Sequence, residues 1–170
     1  AEVHALRLAG ERAEGATAYV TLEPCGLHGR TPPCADALIR AGVRRVVIAS
    51  EDAFQREGAA IARMRAAGIA VQIGLLREEA RELNVGFFQR IESGRPFVRL
   101  KLAMSLDGRT ALASGESKWI TGEAARADVQ QWRARSSAIV TGIGTVLADD
   151  PAFTVRWPGR EFRPPLRVVL

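Results

Sequence analysis

Apolar positions along the chain switch repeatedly between a helical period and a strand period, and the switches predict the elements. Residues 1–9 carry Val3, Ala5, Leu6, Leu8 and Ala9, an apolar helical pattern already under way at Ala1-Glu2. Residues 16–22 (ATAYVTL) are rich in β-branched and aromatic types and stop at Glu23-Pro24-Cys25. They read as a strand running into a loop that lasts to about Pro33. From Cys34, the positions Ala37, Leu38, Ile39 and Ala41 with Gly42 behind them predict a short helix with a glycine C-cap, and 43–50 (VRRVVIAS) the next strand. A second cycle follows: a helix over 59–67 ended by Gly68, a strand over 69–75, and a helix over 77–91 with apolar residues at Ala80, Leu83, Val85, Phe87 and Phe88. Strands alternating with helices imply parallel pairing through right-handed crossovers.

Ser93-Gly94-Arg95-Pro96 breaks either kind of element, which places a domain boundary there and divides the chain into 1–94 and 95–170. Residues 97–104 (FVRLKLAM) restart as a strand, and 106–120 form a loop with turn formers at Gly108, Ser114 and Gly115. Thr121 is placed to N-cap a helix through about Ser136. Residues 138–146 (AIVTGIGTV) read as a strand entering a glycine turn, Asp149-Asp150-Pro151 as a second turn, and Leu166 onward as a strand. The chain opens inside a helical pattern without Met and closes inside a strand pattern, so both ends read as cuts through domains.

The composition, 170 residues with 47% hydrophobic and 25% charged, fits a packed globular core. The longest uncharged stretch, 136–148, falls short of the roughly 20 apolar residues that span a bilayer, so no membrane partner is expected. Two cysteines cannot make a disulfide framework, and no secretory apolar region opens the chain, so a reducing cytoplasm is expected. The net charge is +5 and the pI near 10.2. That excess is +1 in residues 1–95 and +4 in residues 96–170, scattered among acids. A phosphorylated small molecule or cofactor explains such scatter as well as a polynucleotide would, there is no basic run, and no nucleic-acid partner is expected.

The most specific chemical signal is Thr21-Leu22-Glu23-Pro24-Cys25 followed by Cys34, nine positions on. Thiolates are soft zinc ligands, and a catalytic zinc keeps three protein ligands with the fourth position open to water, whose pKa it lowers. Zinc deaminases of nucleobases carry His-x-Glu, then Pro-Cys and a second Cys, with the Glu shuttling protons. Ala1-Glu2 supplies the x-Glu part; the His would precede Ala1. Taken singly, each piece has a plainer reading: cysteines are small buried hydrophobes, and Glu2 is a solvated first-turn acid. His4 lies on the same helical side as the absent His, but one turn carries it roughly 6 Å along the axis, so it is read as a surface residue. In the second half, Gly142-Ile143-Gly144-Thr145 lets backbone amides approach a phosphate, although Leu147 stands where a dinucleotide fingerprint has its third glycine. By itself that stretch is a generic turn.

The run TLEPCGLHGRTPPCADALIRAG (21–42), with KLAMSLDGRTALASGESKWIT (101–121) and TGIGTVLADDPAFTVR (141–156), resembles the bifunctional riboflavin biosynthesis deaminase-reductase family in motif and in order. The resemblance implies an α/β chain: a cytidine-deaminase-like three-layer domain, truncated at its N-terminus, then the start of a dihydrofolate-reductase-like domain. It implies zinc held by Cys25 and Cys34, Glu2 as proton shuttle, and His28 and Arg30 facing the substrate, Arg30 at its phosphate. It implies NADPH contacts at Ala103, Trp119, Thr145 and Asp149, and substrate contacts at Ser117, Arg133, Phe153 and Arg156. The implied chemistry is deamination of a phosphoribosylamino-pyrimidine, then reduction of its ribosyl group to ribityl, by an enzyme of a generally oligomeric family. One departure stands out: where the family usually has Asp-Pro-Asn-Pro after the strand ending at Ser50, this chain reads Glu51-Asp52-Ala53-Phe54-Gln55 and is shorter, so a substrate contact is expected to be lost. Two other readings stay open. The first half suits a nucleoside or RNA zinc deaminase, against which the motifs after Pro96 count, and the apolar ends suit an inactive remnant.

Overall fold

The segment with the longest unbroken apolar run becomes the centre of a parallel sheet. In a computed structural model, which describes residues 1–55, 59–159 and 161–170, β2 (Arg45–Ser50) lies between β1 (Thr17–Leu22) and β3 (Ala70–Ile73). Tyr19 is opposite Val47 and Val47 opposite Gln72, both pairings parallel. Only Arg45 of β2 is exposed, because a central strand meets neighbours on both edges and layers on both faces.

Helices supply those layers. One face of β2, presenting Val46 and Ile48, packs with Ala35 and Leu38 of α2 (Cys34–Arg40) and Ala60 and Met64 of α3 (Ala60–Ala66) into the main core. α1 (Glu2–Ala9) adds Leu6 at its margin and packs on α2. The opposite face, with Val47 and Ala49, is covered by α4 (Arg77–Leu83), which packs on β2 and β1. This is the three-layer α/β arrangement that the family resemblance implied, with the parallel pairing expected from the alternating pattern. The helix expected over 77–91 is two helices, α4 and α5 (Val85–Ser93), because Asn84 departs from helical geometry with φ −120° and ψ 28°. Phe88 of α5 is buried beneath the Arg81 guanidinium, 4.1 Å from its ring centroid.

The chain divides into two compact units, 1–99 and 100–170. The second holds α6 (Glu123–Ala134), β4 (Ala138–Thr141), α7 (Ile143–Asp149) and β5 (Leu166–Val169), with β4 and β5 parallel and Val140 opposite Val168. The sequence expectations need three corrections here. Residues 97–104 form no strand among the described residues: their alternation is strand-like, but no partner strand pairs with them, and Val98, Leu100 and Leu102 remain exposed. The strand expected over 138–146 stops at Thr141, because Gly142 turns and caps α7, and the Ile143 N–H leaves the helix to reach the Leu170 carbonyl at 2.7 Å. Gly142-Ile143-Gly144-Thr145 is therefore a helix start, not the end of a strand. Finally, α6 begins after Gly122, with no side-chain cap from Thr121, whose carbonyl accepts from Arg126 instead.

Leu38, which is 1% exposed, has no room to relax without leaving a cavity. Leu38→Ala should lower unfolding free energy by about 2–5 kcal/mol. Tyr19→Ala, at a position 69% exposed, should shift it by less than about 1 kcal/mol. Urea denaturation followed by circular dichroism measures both, and equal losses would place the core elsewhere.

Candidate metal centre and ligand site

β1 delivers the cysteine loop to the carboxyl end of the sheet, where the Glu23 N–H still bonds the Ser50 carbonyl at 2.9 Å. The loop then turns through Pro24, which is buried, to Cys25. α2 starts after Pro33, which has no side chain to cap it, so its first amides need other acceptors. Cys25 supplies two: its Sγ accepts the Cys34 N–H at 3.0 Å and its carbonyl accepts the Ala35 N–H at 3.1 Å. The nine-residue spacing thus brings one thiol to the helix N-terminus that carries the other.

Glu2, mostly buried, closes the group from α1. Burial pushes the Cys34 thiol up to about 12, and the Cys25 thiol and the Glu2 carboxylate add to that shift. Three electron-rich groups therefore face one another, and a divalent cation would reverse the balance by favouring both thiolates. In ligand type the pair suits zinc. In number it falls short, because among the described residues no three of His, Cys, Asp and Glu form a metal-sized group. His4 is exposed and hydrogen-bonded to Arg7 at 3.2 Å, as its reading as a surface residue anticipated. His28 and Arg30 are exposed on the loop between the two cysteines.

Residues that the sequence reading did not single out hold this loop. The Gly26 N–H donates to Gln55 Oε1 at 2.7 Å, and the Gly26 carbonyl accepts from Arg63 Nη1 at 2.8 Å. Gln55 Nε2 in turn donates to Asp52 Oδ2 at 2.6 Å, and the Asp52 N–H donates to Glu23 Oε2 at 3.1 Å. Burial, together with the neighbouring Asp52 and Glu51 carboxylates, raises Glu23 above the usual carboxylate value despite that N–H. The segment that departs from Asp-Pro-Asn-Pro is thus built into the base of the cysteine loop. A cavity of about 540 Å³ opens beside it, lined among others by Glu23, Asp52, Gln55, Arg65 and Arg77. Spacings of 29 and 37 residues leave no local pattern that would have revealed Gln55 or Arg63.

In the second unit, three of the expected substrate residues converge. Arg133 on α6 donates to the Thr154 carbonyl at 3.0 Å and lies 5.7 Å from the Phe153 ring centroid. The Arg156 N–H donates to Gln130 Oε1 at 2.9 Å, also on α6. Burial, and after it the Arg156 charge, hold Arg133 below the usual arginine range, the sign of a cationic site that an anion would relieve. Phe153 sits in the left-handed region at φ 49°, a conformation costly to a non-glycine residue and kept only where its surroundings impose it. Thr145 and Asp149 lie four apart on α7, exposed on one face. Trp119 is exposed with the Arg126 guanidinium 4.5 Å from its ring, while Ala103 and Ser117 are half-buried in loops, and no contact joins these three to the arginine pair.

Residues 1–50 match the cytidine and deoxycytidylate deaminase zinc-binding region, and residues 96–170 match the RibD C-terminal domain. The riboflavin biosynthesis protein RibD of Escherichia coli (strain K12) is 57% identical over the whole of this chain and 50% of its own length; that of Bacillus amyloliquefaciens is 50% identical over the whole chain and 46% of its own. Among solved structures, Acinetobacter baumannii RibD superposes with a TM-score of 0.89 at 54% identity, covering 99% of this chain and 49% of that one. A diaminohydroxyphosphoribosylaminopyrimidine deaminase/5-amino-6-(5-phosphoribosylamino)uracil reductase from Thermotoga maritima gives 0.87 at 42% identity, over 98% of this chain and 47% of that one. The chain spans about half the length of these relatives.

The Cys34 shift carries a sign. A thiol that holds its proton more tightly folded than unfolded adds stability below the ordinary thiol value near 9, and loses it as pH climbs toward about 12. Metal-free protein should therefore lose thermal stability across that window more steeply than a Cys34→Ser variant does. Parallel melting curves over pH 8–12 would sink this interaction.

Proposed function

We propose that the chain belongs, over the stretch it spans, to the RibD family of riboflavin biosynthesis proteins, and that it carries parts of two catalytic sites. Residues 1–94 are a partial zinc deaminase domain and residues 95–170 a partial NADPH-dependent reductase domain. The convergence of Cys25, Cys34 and Glu2 at the head of α2 is the observation that carries the first part.

In the deaminase step, Cys25 and Cys34 hold zinc, which supplies Lewis acidity toward a water molecule when bound. Glu2 takes the proton from that water and passes it to the departing amine, so that a ring carbon exchanges its C–N bond for a C–O bond and ammonia leaves. His28 and Arg30 face the substrate, with the Arg30 guanidinium on its phosphate. In the reductase step, Ala103, Trp119, Thr145 and Asp149 line the NADPH position, while Ser117, Arg133, Phe153 and Arg156 hold the phosphorylated sugar. NADPH, when bound, would supply a hydride to the sugar carbon bearing the amine while a proton goes to the ring oxygen, so that the ribosyl ring would open to ribityl. The cationic pair Arg133 and Arg156 supports an anionic sugar phosphate there. This reading makes the substrate a small phosphorylated pyrimidine and the protein a cytoplasmic enzyme.

Two measurements test it. Exhaustively dialysed protein should retain about one zinc per chain and Cys25→Ala should retain none, by elemental analysis; zinc-free parent protein would end the metal reading for this chain. Arg133→Ala should weaken binding of ribose 5-phosphate about tenfold by calorimetry, the loss of one charged hydrogen-bond donor. An unchanged affinity would remove Arg133 from the phosphate site.

A further inference from the structure

Gly26 is buried immediately after the first cysteine, and both of its backbone groups are claimed by side chains from distant elements. Gln55, in the short helical turn Ala53–Gln55, accepts its N–H; Arg63, on α3, donates to its carbonyl. Neither holding group is free to swing. Gln55 is tied through its other atom to Asp52, a carboxylate only 7% exposed whose second oxygen accepts the Phe54 N–H at 2.9 Å. Arg63 is tied through its second nitrogen to Asp36 on α2. Arg63 therefore links the turn after Cys25 to the helix that begins with Cys34, so the separation of the two sulfurs is braced from outside the loop. A buried glycine amide and carbonyl without these partners would each need water or another donor, and the turn would lose its single conformation.

We propose that Gln55 and Arg63 are positioning residues for the thiol pair: by holding the Gly26 N–H and carbonyl, they fix Cys25 Sγ against the first turn of α2, beside Cys34, where the two thiols would serve as ligands to a metal ion. The proposal rests on the reading of Cys25 and Cys34 as a metal pair and goes beyond it.

Two readouts test it, one of them independent of metal. Amide hydrogen exchange by NMR should show the Gly26 and Cys34 N–H groups of Gln55→Met and Arg63→Met exchanging about tenfold faster than in the parent, the loss of one hydrogen bond each, with Ile48 in the central strand unchanged. Titration with Cd²⁺, followed by its thiolate charge-transfer absorbance, should show affinity falling about tenfold in both variants at unchanged stoichiometry, since supporting contacts of metal ligands typically carry that much. Arg63→Lys, which keeps one donor, should fall between parent and Arg63→Met. Val71→Ala, a core-margin change on β3, should lower the melting temperature without touching Cd²⁺ affinity. Unaltered Cys34 exchange in both Met variants overturns the proposal, as does an equal loss of affinity in Val71→Ala. Failure of the parent to bind Cd²⁺ overturns the metal reading instead, and the exchange measurement then still decides whether Gln55 and Arg63 hold the thiols in place.

Discussion

Backbone polar groups buried at the head of the first sheet must find partners inside the protein, and the chemistry of this unit is arranged around that requirement. The loop after β1 turns through a buried proline and a buried glycine, and α2 begins behind a proline that cannot cap it. Cys25 answers the second need with its sulfur and its carbonyl, while Gln55 and Arg63 answer the first at Gly26. The hydrogen bonds that satisfy the backbone are therefore the same ones that bring the two thiols together.

That arrangement needs a rigid support, which β2 provides. A strand buried on both faces and paired on both edges holds the ends of β1 and β2 level, so that Glu23 and Ser50 remain bonded where the loop departs. α2 and α3 are anchored in the same core cluster through Leu38, Ala60 and Met64, and they carry Cys34 and Arg63 respectively. Packing on one face of the sheet thus sets the distance between groups that act at its end. The raised Cys34 value is the electrostatic consequence of bringing a thiol, a second thiol and a carboxylate together with partial loss of solvent.

The second unit concentrates positive charge by a different device. Arg133 is half-buried on α6, and the segment carrying Phe153 and Arg156 returns to the same helix through hydrogen bonds at Thr154 and Gln130. Two guanidinium groups held near each other raise the energy of the ligand-free site, and an anion lowers it. Burial first, and then the Arg156 charge, hold Arg133 below the ordinary arginine range, as full solvation would not.

The sequence by itself determined the period of each element in the first unit and the thiol chemistry available at Cys25 and Cys34, because hydrophobic period and side-chain chemistry are local properties; the central place of β2 came from the fold. It also placed Arg133, Phe153 and Arg156 in one group, through family resemblance. Tertiary structure alone decided the rest. Residues 97–104 alternate like a strand, yet a ladder requires a partner that alternation cannot specify, and Gly142-Ile143 could end a strand or open a helix until the Leu170 carbonyl took the Ile143 N–H. Gln55 and Arg63 left no trace in the pattern, because a side chain that satisfies a backbone group 29 or 37 residues away is selected by position in space, and position in space exists only once the sheet and its helices have packed.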